Sequence, residues 1–529
     1  MQAMAEFSFT AVHLAGTLGE VAARLPDKPA LRTGEGVFTY AELDAAVTRA
    51  ARALRARGIS RGDRVAVDLA NSSAFAVLLY GTWRAGGVAV PLNRASPAPE
   101  LARLIADAEP ALVVTEPDRR GVLDEAAAFA DWQAPVETTS RLPGVVGPEG
   151  EPGVVGPGEE PGVVGPGEEP GVVGDPDDLA LLQYTTGTTG RPRGVMLTHR
   201  HLSANQAQLD ASRQRIAERD EVLAVLPLSH IYGLNVALCY PLRCGATVRL
   251  VDRFVAEETL ELVSRERISV LLGAPPMFAA WLAVTRRGKV ERPDLGAVRV
   301  AASGGAPLAP RVLEGFQERF GVALWEGYGL TETSPVLTTT AMGDAPRAGS
   351  VGPPVPGVEL RLVHDGGRPV ASGDPGEVLA RGPNVFEGYW RDEEQTADAF
   401  TADGWFRTGD LGFVDDGWLH LVDRKSDLII VSGFNVYPRE VEEVLAAHPD
   451  VAQAGVVGVP DERTGEVVRA VVVPRQGTHP SPEALVEHCR RFLARFKCPV
   501  AVDIVEELPI LQTGKVARWE LRDSGGGRP

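Results

Sequence analysis

Short β-branched runs alternate with stretches of helical periodicity through most of this chain, and that alternation restricts the folds open to it. Arg64-Val-Ala-Val-Asp68, Ala111-Leu-Val-Val-Thr115 and Glu221-Val-Leu-Ala-Val-Leu226 read as strands. Tyr40 to Arg57 and Pro99 to Ala108 read as amphipathic helices between them. Strands joined through helices pair in parallel, so the pattern predicts layered α/β structure. After about Gly376 the runs shorten and Asp-Gly turns multiply (Asp403-Gly404, Asp416-Gly417), which predicts antiparallel hairpins. From about Asp427 the order strand, helix, strand, helix, strand predicts a small α+β domain. A chain of 529 residues has room for both.

One segment breaks the alternation. Pro-Gly-Val-Val-Gly recurs at Pro143, Pro152, Pro161 and Pro170 with a period of nine residues. Pro and Gly at this density sustain neither helix nor central strand, and the apolar area is too small to offset ordering entropy. Residues 143–174 are therefore expected to form a flexible, solvent-exposed insertion.

The formal net charge of -18 argues against nucleic acid as a partner, because a polyphosphate backbone selects basic surfaces. Four cysteines (Cys239, Cys244, Cys489, Cys498) lack metal-ligand spacing and read as reduced thiols. No apolar run is long enough for a membrane span, and residues 1–10 lack the pattern of a secretory leader. A cytoplasmic protein is expected.

The chemistry concentrates in a few loops. Thr185-Thr-Gly-Thr-Thr-Gly190 follows the apolar run Leu179 to Leu182. Hydroxyls and unhindered N–H groups at Thr185, Thr186, Gly187, Thr188, Thr189 and Gly190 suit a polyanion. The loop lacks the Lys-Ser/Thr of a Walker A motif. Ser303-Gly-Gly-Ala-Pro307 follows a predicted strand from Val298 to Ala302, and Gly304, Gly305, Ala306 and Pro307 would let a flat ring approach the backbone. In Glu326-Gly-Tyr-Gly-Leu-Thr-Glu332, Tyr328 can stack on a purine, Thr331 can bond phosphate, and Glu332 offers the hard oxygens that Mg²⁺ takes. Trp405-Phe-Arg-Thr-Gly-Asp-Leu-Gly412 is expected to place Asp410 in a tight turn, where it can accept from a ribose diol or satisfy its own backbone. No Gly-x-Ser-x-Gly elbow and no Gly-x-Gly-x-x-Gly after a strand is present, which disfavours an α/β-hydrolase and an NAD enzyme.

In this order, from about Leu14 to Arg522, these segments resemble the adenylate-forming superfamily of acyl-CoA synthetases, luciferases and peptide-synthetase adenylation domains. Pro227-Leu-Ser-His-Ile-Tyr-Gly233 and Asp423-Arg-Lys-Ser-Asp-Leu-Ile-Ile-Val-Ser-Gly-Phe-Asn-Val-Tyr-Pro438 are most similar to the fatty acyl-CoA ligases. The resemblance implies a large N-terminal domain (1–424) with a distorted β-barrel subdomain, a hinge at 425–426 and a mobile C-terminal domain (427–529). It implies that a carboxylate, a medium- or long-chain fatty acid, attacks ATP to give acyl-AMP, after which coenzyme A displaces AMP. Thr185 to Gly194, including Arg193, take the phosphate-loop role. Gly304 to Pro307 with Glu326, Gly327 and Tyr328 take the adenine pocket, and Asp410 and Arg424 the ribose. Thr331 takes the α-phosphate role, Glu332 Mg²⁺, His230 the acyl and thioester site, Lys515 adenylation, and Gly433 the pantetheine tunnel.

Three departures accompany the resemblance. Arg193 stands where the family carries Lys, Ser426 where the hinge carries Lys or Asp, and Pro509-Ile-Leu-Gln-Thr-Gly-Lys515 is looser than the usual motif. None removes a required functional group. The alternatives are an enzyme that passes acyl-AMP to a carrier-protein phosphopantetheine or another nucleophile, and a catalytically weak nucleotide-binding homologue.

Overall fold

A computed structural model describes residues 8–130, 132–142, 174–186, 192–290, 293–364, 366–371, 373–432, 434–461, 463–510 and 516–523. The repeat at 143–173 lies outside the described residues, as do Gly187, Thr188, Thr189, Gly190, Gly433 and Lys515. The chain divides into two compact units. One comprises residues 1–348, 352–359 and 381–406, the other 349–351, 360–380 and 407–529.

The first unit carries the expected largely parallel sheets. Its eight-stranded sheet runs in the order Val336–Thr339, Leu324–Gly329, Val300–Ser303, Val270–Gly273, Glu221–Ala224, Thr247–Leu250, Pro29–Arg32 and Val37–Thr39. Only the two outermost pairings are antiparallel. A six-stranded sheet orders Val136–Thr138, Leu112–Thr115, Arg64–Asp68, Val88–Pro91, Leu179–Thr186 and Pro192–Thr198, parallel except for its last pair. The strand predicted at Val298 to Ala302 is displaced to Val300–Ser303, because Val298 closes a turn, its N–H donating to the Leu295 carbonyl at 2.9 Å.

Helix Tyr40–Ala56 begins where predicted. Thr39 and Glu42 form a capping box, with the Glu42 carboxylate accepting from Thr39 N–H at 2.8 Å and Thr39 Oγ1 accepting from Glu42 N–H at 3.2 Å. Helix Ser73–Ala85 is apolar on every face and buried at every position but Ala74. Its one cation, Arg84, is neutralised by Asp44 at 2.6 Å and also donates to Thr48.

The second unit holds a four-stranded sheet in the order Glu359–Val363, Gly376–Arg381, Phe406–Asp415 and Trp418–Arg424, where the barrel subdomain was expected. The strands lengthen here rather than shorten: Phe406–Asp415 spans 10 residues. Its partner follows through the two-residue turn Asp416-Gly417, both residues at positive φ (49° and 80°), a geometry that suits the right-handed twist of a hairpin. A further sheet combines Phe434–Val436, Ile429–Val431, Gly465–Pro474, Val451–Asp461 and Ala501–Ile504. Helices Pro438–Ala446 and Pro482–Phe492 supply Val441, Leu445, Leu485 and Cys489 to its core. Pro438 is the first residue of its helix, where the missing N–H costs nothing. The extra strands and the closing helix Arg518–Asp523 go beyond the predicted order.

Three cysteines are buried and Cys244 is partly so. Burial pushes the Cys239 and Cys489 thiols up to about 12, so both stay protonated at neutral pH. Alkylation of the folded protein at pH 8, read by peptide mass spectrometry, should leave these two unmodified. The same reagent should modify both in urea.

Candidate active site

The predicted loops of the first unit sit at the carboxyl ends of strands, where open α/β sheets place their ligands. The turn Gly304–Pro307 leaves Val300–Ser303 and leads into helix Pro310–Phe320. Beside it, Ser303 pairs in register with Glu326 on Leu324–Gly329. The buried Glu326 carboxylate accepts from Leu308 N–H at 2.9 Å, which fastens the end of the turn to the neighbouring strand. Gly327 pairs with Thr339 and Tyr328 with Thr338, and Tyr328 is half-buried.

His230 joins this group through Tyr232. His230 lies in the loop after Glu221–Ala224, and its Nδ1 accepts from Tyr232 N–H at 3.3 Å. The Tyr232 hydroxyl donates to the Ala302 carbonyl at 3.2 Å. That bond draws the ring over Gly304, where a Cβ would lie 3.2 Å from ring carbon Cε1. Tyr232 opens a π-helical stretch, Tyr232–Cys239, a rare form that often marks functional sites. The strand carrying Thr185 reaches the same loop, since Gln183 Nε2 donates to the Ser229 carbonyl at 2.8 Å.

Thr185 and Thr186 end Leu179–Thr186, and Arg193 lies opposite Thr185 on the antiparallel strand Pro192–Thr198. The two strands that flank residues 187–191 thus pair as an antiparallel hairpin. The Arg193 guanidinium lies 5.6 Å from the centre of the Tyr389 ring, within reach of a cation–π interaction. The Tyr389 hydroxyl donates to Glu332 Oε1 at 3.0 Å. Burial, then the Glu332 charge, raises the Tyr389 phenol far above its usual range, so it remains a donor at any working pH. Arg193, Tyr389 and Glu332 thus form one row from the hairpin to the turn Thr331–Thr333. Thr331 is half-buried and Glu332 buried.

In the second unit, Asp410 and Arg424 occupy opposite register positions and pair directly, with Nε to Oδ1 at 2.7 Å. Asp410 lies within the strand Phe406–Asp415, not in the expected tight turn. Ladder pairing with Arg424 outcompetes a local turn, and the one left-handed residue is its neighbour Gly409 at φ 70°. Ser426 falls in a short 3₁₀ turn, Lys425–Asp427. Arg518, three positions beyond Lys515, bonds Asp427 at 3.0 Å and Glu442 at 2.8 Å.

Tyr232 and Tyr389 are the residues that the sequence reading missed. Tyr232 stood inside the motif Pro227–Gly233, whereas Tyr389, in Gly388-Tyr-Trp390, lay in no motif and had only its aromatic type as a signal.

Comparison with known proteins gives the family. Residues 18–390 match the family described as AMP-binding enzyme, and 440–515 match the AMP-binding enzyme C-terminal domain. The chain is 36% identical to a feruloyl-CoA synthase of Amycolatopsis sp, over 94% of this chain and 96% of that one. It is 32% identical to a long-chain-fatty-acid–CoA ligase of Bacillus subtilis (strain 168), over 96% and 94% of the two chains. The crystal structure of ATP-bound MatB from Rhodopseudomonas palustris shares the fold with a TM-score of 0.84 at 35% identity, covering 96% of this chain and 98% of that one. The chain belongs to the AMP-binding enzymes of the adenylate-forming superfamily, and it is an acid–thiol ligase that works through an acyl-adenylate.

Two substitutions probe the site. In Gly304→Ala the added methyl meets a ring that is held by its own hydroxyl. The KM for ATP should rise by about tenfold, a loss of roughly 1.4 kcal/mol, and fall back partly when Tyr232→Leu is added. Tyr389→Phe keeps the ring under Arg193 but removes the bond to Glu332. Steady-state assays should show a lower kcat with little change in the KM for the acid.

Proposed function

We propose that this chain converts a medium- or long-chain fatty acid to its acyl-adenylate and then to the coenzyme A thioester. The observation that carries the reading is the row Arg193–Tyr389–Glu332, which ties the hairpin holding Thr185 to the turn holding Thr331. In this reading a carboxylate oxygen attacks the α-phosphorus of ATP, and the bond to the pyrophosphate oxygen breaks. The coenzyme A sulfur then attacks the acyl carbonyl, and AMP leaves.

Thr185 to Gly190 and Arg193 hold the phosphates. Gly304 to Pro307, Glu326, Gly327 and Tyr328 hold the adenine, and Asp410 with Arg424 the ribose. Thr331 bonds the α-phosphate, and Lys515 opposes the charge gathered between carboxylate and phosphorus. Gly433 leaves room for the pantetheine arm, and a hinge at 425–426 separates the domains proposed at 1–424 and 427–529.

A magnesium ion fits this arrangement through Glu332. Among the described residues no three His, Cys, Asp or Glu side chains form a metal cage. A single buried carboxylate suits an ion that takes its other ligands from nucleotide phosphates and water. Bound there, magnesium would draw charge from the phosphates.

An aromatic acid is the second reading for the substrate. The Tyr232 ring beside Gly304 offers a flat face to an aryl group, and a feruloyl-CoA synthase stands among the relatives. Small residues at Ala301 and Ala302 leave space for an alkyl chain. Among the described residues no helix is long and apolar enough to cross a membrane.

Pyrophosphate release from ATP should be followed with fatty, aromatic and short-chain acids, with and without coenzyme A, together with product mass. The expected result is acyl-CoA from fatty acids, with the rate of adenylation lost in Lys515→Ala by about a hundredfold or more. Acyl-CoA formed from aromatic acids alone would replace the fatty substrate. Acyl-AMP that accumulates untouched by coenzyme A would move the acceptor to a carrier-protein phosphopantetheine or an amine.

A further inference from the structure

The turn that presents Thr331 and Glu332 is buried from Glu332 onward, and beyond its 3₁₀ hydrogen bonds much of its backbone is paired to side chains. Asn384, fully buried, donates from Nδ2 to the Thr333 carbonyl at 2.7 Å and to the Val336 carbonyl at 3.1 Å. Its own Oδ1 accepts from Gln208 Nε2 at 3.1 Å. Asn205 bonds both backbone groups of Val336, at 2.8 Å to the carbonyl and 3.1 Å from the N–H. Asn235 donates to the Ser334 carbonyl at 2.7 Å. All four carboxamides have no solvent exposure.

Asn384 also begins a strap that grips the same turn twice more. Phe386 N–H donates to the Glu332 carbonyl at 2.8 Å, and Tyr389 holds the Glu332 carboxylate. Within six residues the strap therefore fixes the turn's backbone at Glu332 and after it, and the carboxylate itself. An apolar residue of similar size at 384 would fill the space but take this donor from the buried Thr333 carbonyl and leave the Val336 carbonyl with Asn205 alone.

We propose that Asn384 is a positioning residue for the metal-binding carboxylate: its amide fixes the turn Thr331–Val336 so that Glu332 meets the magnesium of the bound nucleotide. The proposal rests on the reading of Glu332 given above. A group that orients a metal ligand through a hydrogen bond alters metal affinity, whereas a group that only fills a core alters stability.

Asn384→Ser, Glu332→Gln and a stability control, Leu101→Ala in helix Ala98–Ala108, separate these roles. Leu101 is fully buried in the packing against the other sheet. Free Mn²⁺ would be measured by electron paramagnetic resonance in the presence of α,β-methylene-ATP, alongside the Tm of each protein. Asn384→Ser should weaken Mn²⁺ binding by about tenfold, while Leu101→Ala lowers Tm and leaves binding unchanged. Weakened binding in Glu332→Gln with wild-type binding in Asn384→Ser would overturn the positioning role and leave the metal role standing. Wild-type binding in both would overturn both. Gln208→Met, nearly isosteric, removes the donor that orients Asn384, and the same criteria apply to it should Asn384→Ser not fold.

Discussion

A buried backbone that leaves a sheet must find hydrogen-bond partners elsewhere, and the turn Leu330–Pro335 is where this protein meets that requirement. The strand Leu324–Gly329 ends, and the chain reverses into Val336–Thr339 through residues shielded from water. Each carbonyl left without a donor there would cost about 1–3 kcal/mol. Carboxamides from helix His199–Asp210, from the π-helical stretch and from the strap after Arg381 cover them. The residues expected to handle phosphate and metal are thereby rigid before any nucleotide arrives, and rigidity in advance is the main source of electrostatic stabilisation in such sites.

The same economy recurs around the turn Gly304–Pro307. Glu326 spends its carboxylate on a backbone N–H, and Tyr232 its hydroxyl on a backbone carbonyl. Both are polar groups that hold loops in place. If Gly304 to Pro307 hold the adenine as proposed, the surface left over is largely backbone and ring faces, and selectivity for a flat base would follow from shape as much as from hydrogen bonds.

Much of this was legible in the chain itself. The Thr/Gly loop, the Ser303-Gly-Gly-Ala run and Glu326-Gly-Tyr-Gly are local signals, because a tight turn or a close approach demands particular residue types at adjacent positions. Strand and helix alternation likewise survives in local sequence. Asp410 was misplaced because Thr-Gly-Asp reads as a turn, whereas its position is decided by Arg424, fourteen residues away, across a ladder. The carboxamide cluster was illegible for the same reason. Asn205, Gln206 and Gln208 look like the solvent face of a helix, yet their partners lie up to 176 residues distant. The signal was present only as an excess of amides over charges on one helix.

Arg193 changes one further property of the hairpin proposed to hold the phosphates. An acyl-adenylate is a mixed anhydride, and a neutral amine held beside it can be acylated. A guanidinium keeps its proton at any physiological pH and is a poor nucleophile, so Arg193 supplies charge without offering an amine. The chain has five lysines in all: Lys28, Lys289, Lys425, Lys497 and Lys515. With five lysines among 53 lysines and arginines, nearly every positive side chain is thus inert towards an acyl-adenylate, and Lys515, in the role proposed for it, is the amine that would meet one.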